Sequence, residues 1–369
     1  MNERFLFFSL ILFFVILISE YLTYASLHHI GLIKSSQSQN ILMILGIAFP
    51  VIFIVSLLYS YKNYSLFASW ANTISSIWLI VVFYIFIISI FVFILIITNT
   101  YLNTNIPIKQ IASIFIIITF IAVSYGIWNS NNPRIVRMEI NSSQLGKEWS
   151  GKKIVIISDV HLGNIHRVQF MQKIVDKIKP ENPDITFNLG DLIDGSSFPY
   201  QKWLNPLLSL NPQMGNYYVE GNHEKYNQEY NLFKSEFPQN LNDVTDKKII
   251  LNNTQIIGLS YRENESKEET KERLHYLGYD KTLPSIVLIH NPMNTDALSE
   301  SGVSLVLSGH THGGQIFPLT LLVNKIYKEY AHGITYINNT FSITSYGVGT
   351  AISPVRITTN PEIIVLTIK

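Results

Sequence analysis

Apolar positions follow two regimes along the chain. Through residues 1–130 they run almost unbroken, in stretches at 5–27, 41–61, 74–97 and about 106–128. A bilayer core about 30 Å thick needs roughly 20 apolar residues of helix, so each stretch predicts a membrane span. Beyond residue 130 the runs shorten, at 153–157, 185–189, 217–220, 256–259, 285–289 and 304–307. Most are continuously apolar, as strands buried on both faces require. Between the first two, Phe170, Ile174, Val175 and Ile178 recur at helical spacing and stop before Pro180, which completes a βαβ unit. After residue 315 the pattern predicts strands at 333–337, 340–344 and 363–368, with Asn338-Asn339 as a hairpin turn. The expected fold class is α/β: a four-helix transmembrane region, 1–130, and a mixed β-sandwich flanked by helices, 131–369. Asn129–Pro133 is the polar break between them.

Charge sharpens this division. Residues 1–130 hold six of the chain's Lys, Arg, Asp and Glu, namely Glu3, Arg4, Glu20, Lys34, Lys62 and Lys109. Glu20 lies inside the first stretch, where a carboxylate stays near an interface, faces another helix or serves a function. That stretch has no small-x-small cleavage site and precedes three more, so it reads as an uncleaved anchor. With four spans, Arg4, Lys62, Arg134 and Arg137 fall on the side of the folded domain and Lys34 and Lys109 on the other. The positive-inside rule then gives a multi-pass cell-membrane protein with its domain in the cytoplasm, by a margin of two charges. Net charge is +1 and no basic stripe is present, so no nucleic-acid partner is expected. With no cysteine, disulfides and thiolate metal sites are excluded.

Polar residues gather where the short runs end: Ser158-Asp159-Val160-His161, Gly190-Asp191-Leu192-Ile193-Asp194, Gly221-Asn222-His223-Glu224, His290-Asn291-Pro292, and Gly309 to Gln315 with His310 and His312. Loops at the carboxyl ends of α/β strands converge on ligands. Two carboxylates, one amide and four imidazoles suit Mn, Fe or Zn better than Mg. Seven donors exceed one ion's needs and suit two ions sharing a carboxylate, the arrangement that activates water for attack at phosphorus. Asp-x-His alone is a weak signal; five clusters in order, each ending an apolar run, are a strong one.

The ordered clusters resemble the calcineurin-like metallophosphoesterases. Gly309 to Gln315, Gly349 to Arg356 and Pro361-Glu362-Ile363 are similar to their bacterial transmembrane subgroup, over about residues 135–369. The resemblance implies a sandwich of two mixed sheets and two divalent metal ions. Asp159, His161 and His312 would hold one ion, Asn222, His290 and His310 the other, and Asp191 would bridge them. It also implies that His223 protonates the leaving alkoxide, and that Asp194 and Glu224 orient histidines, unless they are ordinary turn and cap carboxylates. His166 is expected to be a solvated loop residue, His332 a structural one, and Arg356 either a phosphate ligand or a partner of Glu362. The sequence departs from the subgroup at Ala351-Ile352, where a tryptophan-glycine pair is expected.

The resulting expectation is a membrane-anchored phosphoesterase that cleaves a phosphomonoester or phosphodiester by attack of a metal-bridging hydroxide, with lipid-linked phosphates among the candidate substrates. A catalytically weak binding or regulatory module on the same fold is the alternative. Spans acting as a transporter with an accessory hydrolase are disfavoured by their few charges.

Overall fold

The computed structural model describes residues 3–141, 145–227 and 229–369, with side chains from Phe14 onward. The chain divides into two compact units. One takes in the N-terminal helices and residues 352–355, and the other residues 61–64, 129–351 and 356–369.

The helical unit comprises α1 (Glu3–His29), α2 (Ser36–Ser60), α3 (Leu66–Tyr101) and α4 (Ile108–Ser130). Among the described residues, three helices are long and apolar enough to cross a membrane, α2, α3 and α4. The sequence predicts a fourth; its stretch 5–27 falls in α1, whose first side chains lie outside the described residues. Polarity is inverted relative to a water-soluble bundle. The residues turned inward include Gly46, Ser56 and Ser60 of α2 and Ser69, Asn72, Ser75 and Ser76 of α3, whereas Ile44, Ile47, Val55, Ile74 and Phe93 face outward. Small residues let helices approach where lipid offers apolar side chains no penalty. Glu20 faces neighbouring helices: Oε1 accepts from Trp78 Nε1 at 3.2 Å, and a Cβ on Gly46 would stand 2.4 Å from Oε2.

The second unit holds β1 (Arg134–Ile140), β2 (Lys153–Ile157), β3 (Ile185–Asn188), β4 (Asn216–Tyr218), β5 (Leu241–Asp243), β6 (Lys247–Leu251), β7 (Thr254–Leu259), β8 (Ser285–Ile289), β9 (Leu305–Ser308), β10 (Gly333–Ile337), β11 (Thr340–Thr344) and β12 (Glu362–Ile368). They form two six-stranded sheets, ordered β1-β12-β2-β3-β4-β5 and β10-β11-β9-β8-β7-β6. Both are mixed. β2 to β5 run parallel beside an antiparallel β12, and β7, β8, β9 and β11 run parallel between antiparallel β6 and β10.

Alternation along each central strand builds the layers. Ile154 and Ile156 enter a core between the sheets with Phe187, Ile286, Leu288 and Leu305. Val155 and Ile157 point the other way, onto Phe170, Ile174 and Ile178 of α5 (Val168–Ile178). Val287 and Ile289 likewise pack on Leu274 and Leu298. The order helix–sheet–sheet–helix buries both faces of the central strands, which is why their sequences are continuously apolar. β1, β5 and β6 are absent from the sequence expectation. β1 and β6 lie at sheet edges, mix charged with apolar residues and are only partly buried, and β5 spans three residues.

Candidate metal centre

Five loops leave the carboxyl ends of β2, β3, β4, β8 and β9 and meet at one place. Their backbones hold one another. Asp159 N–H donates to Gly190 C=O at 2.9 Å, His161 N–H to Asp191 C=O at 3.0 Å, and His310 N–H to Asp159 Oδ2 at 3.0 Å. Close approach demands glycine at Gly309, where a Cβ would stand 1.9 Å from Ser158 Oγ and 2.6 Å from Asp159 Oδ2.

Two clusters of donor atoms result. In the first, His312 Nε2 lies 3.3 Å from Asp159 Oδ1 and 3.0 Å from His161 Nε2. In the second, His290 Nε2 lies 3.1 Å from Asp191 Oδ2 and 3.2 Å from His310 Nδ1. Asp191 Oδ2 is also 3.7 Å from His161 Nε2, so this carboxylate faces both clusters. Asn222 is buried, and its Oδ1, like Asp159 Oδ1, has no hydrogen-bond partner among the described residues. His290 donates Nδ1–H to Leu189 C=O at 2.7 Å, which turns Nε2 toward the carboxylates.

These donors fit metal ions. Atoms bound at about 2.1 Å to one ion stand roughly 3.0–3.4 Å apart at octahedral or tetrahedral angles, the spacing of the closest pairs here. Burial, and then neighbouring positive groups, holds His161 and His312 well below the ordinary imidazole range, and burial and His290 bring His310 down to about 3. The neutral form they keep is the one that binds metal. Burial alone would raise Asp191, but His290 and His223 outweigh it and hold the carboxyl well below its usual value. Burial opposes protonation of His290 too, yet Asp191 and Asp159 push it up to about 10. Two buried carboxylates with no Lys or Arg ion pair among the described residues favour positive charge between them.

His223 stands at the rim, with about a third of its side chain exposed and Nε2 4.0 Å from Asp191 Oδ2. Its Nδ1 donates to Asp194 C=O at 3.0 Å, leaving Nε2 aimed inward. Burial lowers its affinity for a proton, but Asp191 and the Asp194 carbonyl raise it further, for a net upward shift. The carboxylates expected to orient histidines do other work. Glu224 accepts from the backbone N–H of Asp191 at 2.9 Å, Ile193 at 3.1 Å and Gly221 at 2.8 Å. Asp194 accepts from the N–H groups of Asn164 and Ser196, each at 2.8 Å, and only its main-chain carbonyl meets His223.

Three further residues differ from or refine expectation. Arg356 is wholly buried and forms no ion pair with Glu362. It donates to Gly347 C=O at 2.9 Å and Tyr346 C=O at 2.5 Å, and its Nη2 stands 3.1 Å from His312 Nδ1. His166 is buried rather than solvated, stacked on Phe170 and 3.0 Å from Thr350 Oγ1. His332 pairs with Glu362 at 3.1 Å and stacks on Tyr346, a structural arrangement. At the departure point, Ile352 has φ +66°, a conformation open to glycine and costly for a β-branched residue. The sequence reading missed an aromatic wall. Ring centroids of Tyr261 and Tyr327 lie 6.0 and 6.3 Å from that of His310, and Tyr226 lies 6.4 Å from Tyr261. Tyr261 had a signal, since it follows the end of β7 as the ligand clusters follow their strands.

The family model of the calcineurin-like phosphoesterases matches residues 152–314. Those residues belong to the calcineurin-like metallophosphoesterases. An uncharacterized metallophosphoesterase of Helicobacter pylori is 32% identical over 238 residues, 63% of this chain and 62% of that protein. A Danio rerio transmembrane protein with metallophosphoesterase domain is 30% identical over 276 residues, 69% of this chain and 62% of that protein. An uncharacterized metallophosphoesterase of Aquifex aeolicus is 29% identical over 266 residues, 68% of this chain and 98% of that protein. The match thus spans about three fifths of the first two relatives. The metallophosphoesterase domain brings a family tie to phosphoester hydrolysis and divalent metals, and three apolar helices beside it mark a membrane protein.

Proposed function

We propose that this chain is a membrane-anchored phosphoesterase with two metal ions, acting on a phosphomonoester or phosphodiester at the lipid headgroup layer. The observation that carries the reading is the convergence of Asp159, His161, Asp191, His290, His310 and His312, with His223 beside them. Asp159, His161 and His312 would hold one divalent ion, Asn222, His290 and His310 the other, with Asp191 shared. Mn, Fe or Zn suit this donor set, and would lower the pKa of water and offset charge on the phosphoryl oxygens. When water's oxygen bonds to phosphorus and the ester P–O bond breaks, the departing alkoxide needs a proton. His223 Nε2 would supply it, since Nδ1 is engaged by the Asp194 carbonyl and Asp191 with that carbonyl shifts the ring toward its protonated form. Tyr226, Tyr261 and Tyr327 would line the substrate's path to the His290–His310 side.

The short linker 131–133 between α4 and β1 supports a substrate borne by the membrane. Arg4, Lys62, Arg134 and Arg137, against Lys34 and Lys109, favour the cytoplasmic face if α1 to α4 all cross. The alternative of a regulatory module without turnover has no missing donor in its favour.

The test is the full chain in detergent, assayed against phosphomonoesters, phosphodiesters and phospholipids with Mn, Fe and Zn in turn, alongside Asp191→Asn. Hydrolysis should vanish with chelator and return with metal, and Asp191→Asn should lose both bound metal and activity. Two tightly held ions with normal turnover in that variant would overturn the shared-ligand assignment.

A further inference from the structure

The helix Leu319–Tyr327 starts four residues after Gln315, and it breaks the rule the rest of its unit obeys. Its sequence, Leu-Thr-Leu-Leu-Val-Asn-Lys-Ile-Tyr, is as apolar as a core helix, yet none of its nine residues is buried. By contrast, α5 buries Phe170, Met171, Ile174, Val175 and Ile178. Leu319, Leu322 and Ile326 recur at helical spacing on one exposed flank, joined by Leu321, which is 60% exposed, and Phe317, which is 50% exposed. A contiguous apolar patch of this kind marks an interaction surface.

We infer that this helix lies in the membrane interface, with its apolar flank among the acyl chains and headgroups, and holds the mouth of the metal centre against the bilayer. The occupant follows from the chain itself. Asn129, in the last turn of α4, donates to the carbonyls of Arg356 and Thr359, both at 2.9 Å. Residues 131–133 alone separate α4 from β1, and three extended residues reach at most about 11 Å. The domain therefore cannot leave a membrane that its own helices cross. Lys325 and Lys328, both exposed, and Tyr327 flank the patch with the chemistry that suits anionic headgroups and the interfacial zone. The helix is also coupled to the metal centre at both ends. A Cβ on Gly314, beside His312, would stand 2.7 Å from the backbone of Leu319 and Thr320, and the ring of Tyr327 lies 6.3 Å from His310. Seating the helix in lipid seats the entrance there. This deepens the phosphoesterase reading by naming the source of substrate, and in its kinetic part rests on it.

The chain has no cysteine, so Leu322→Cys can carry the sole environment-sensitive fluorophore in full-length protein in phosphatidylcholine/phosphatidylglycerol nanodiscs. Emission should shift to the blue and be quenched by spin-labelled acyl chains, while the same label on Tyr276→Cys, at a residue 90% exposed, should be quenched by aqueous iodide instead. Iodide quenching at 322 would show the helix in water and overturn the inference. A blue-shifted label that neither quencher reaches would mean a protein cover, such as a second copy, and would overturn it as well. Labelling is independent of activity, so it stands apart from the phosphoesterase reading. In turn, Leu322→Glu should lower turnover of vesicle-borne phosphoesters about tenfold and spare a water-soluble aryl phosphate. Equal loss on both would exclude a presenting role.

Discussion

Asp159, His161, Asp191, His310 and His312 all stand in the left-handed region, with φ of 55°, 51°, 51°, 72° and 47°. For residues with a Cβ this region costs roughly 1–2 kcal/mol each, and Asp and His tolerate it better than branched side chains. Such strain persists only where the surroundings over-determine it, here through the loop-to-loop hydrogen bonds around Gly190, Gly309 and Asp191. The strain turns short side chains inward at the ends of strands, where an extended backbone would alternate them between faces. His223 differs, because it stands at the rim and needs only its carbonyl partner. Its replacement separates binding from chemistry. His223→Ala should keep the metal content and lower kcat by roughly 10² to 10⁴. The deficit should shrink for nitrophenyl esters, whose leaving group departs without a proton. An equal deficit for alkyl and nitrophenyl esters would remove His223 from the role of acid.

Among elements, the short helix Asn222–Tyr226 ties together the ends of two neighbouring strands, β3 and β4. Through Glu224 it ties the loop after β3, at Asp191 and Ile193, to the end of β4, at Gly221. Burial and the Asp191 charge push this carboxyl up to about 7, and Glu224 and the three residues whose N–H groups it accepts from are all buried. Glu224→Ala should therefore cost about 3 kcal/mol or more, at roughly 1–3 kcal/mol for each stranded buried donor. For a domain of this size that lowers the melting temperature by roughly 6–12 °C, read by calorimetry on metal-free protein. Glutamine should rescue part of the loss, since its oxygen can still accept from Asp191 and Gly221 while its NH₂ would face the Ile193 N–H. An unchanged melting temperature in Glu224→Ala would mean that the loops hold without this tie.

For the whole molecule, orientation is the open quantity that one measurement decides. Ser36→Cys, at the exposed start of α2, should react with an impermeant maleimide in intact cells, and Tyr276→Cys only after lysis. The reverse pattern would put the metallophosphoesterase domain outside. The sequence by itself determined the three spans α2, α3 and α4, because a bilayer of given thickness demands long apolar runs with few charges. It determined β2, β3, β8 and β9 as well, because strands covered on both faces are built mostly of apolar residues. The donor clusters were legible for a related reason, since each directly follows such a strand. What tertiary structure alone decided is the set of partners. Arg356 buried against His312, Glu224 on three backbone amides and His166 stacked on Phe170 all depend on groups that folding brings together from distant or separate segments. The 319–327 helix is the clearest case, for its pattern is that of a buried helix and only its placement leaves it uncovered. Periodicity records how much of a residue is kept from water. It does not record what excludes the water, and across the 151 positions that separate His161 from His312, only the fold brings two nitrogens to 3.0 Å.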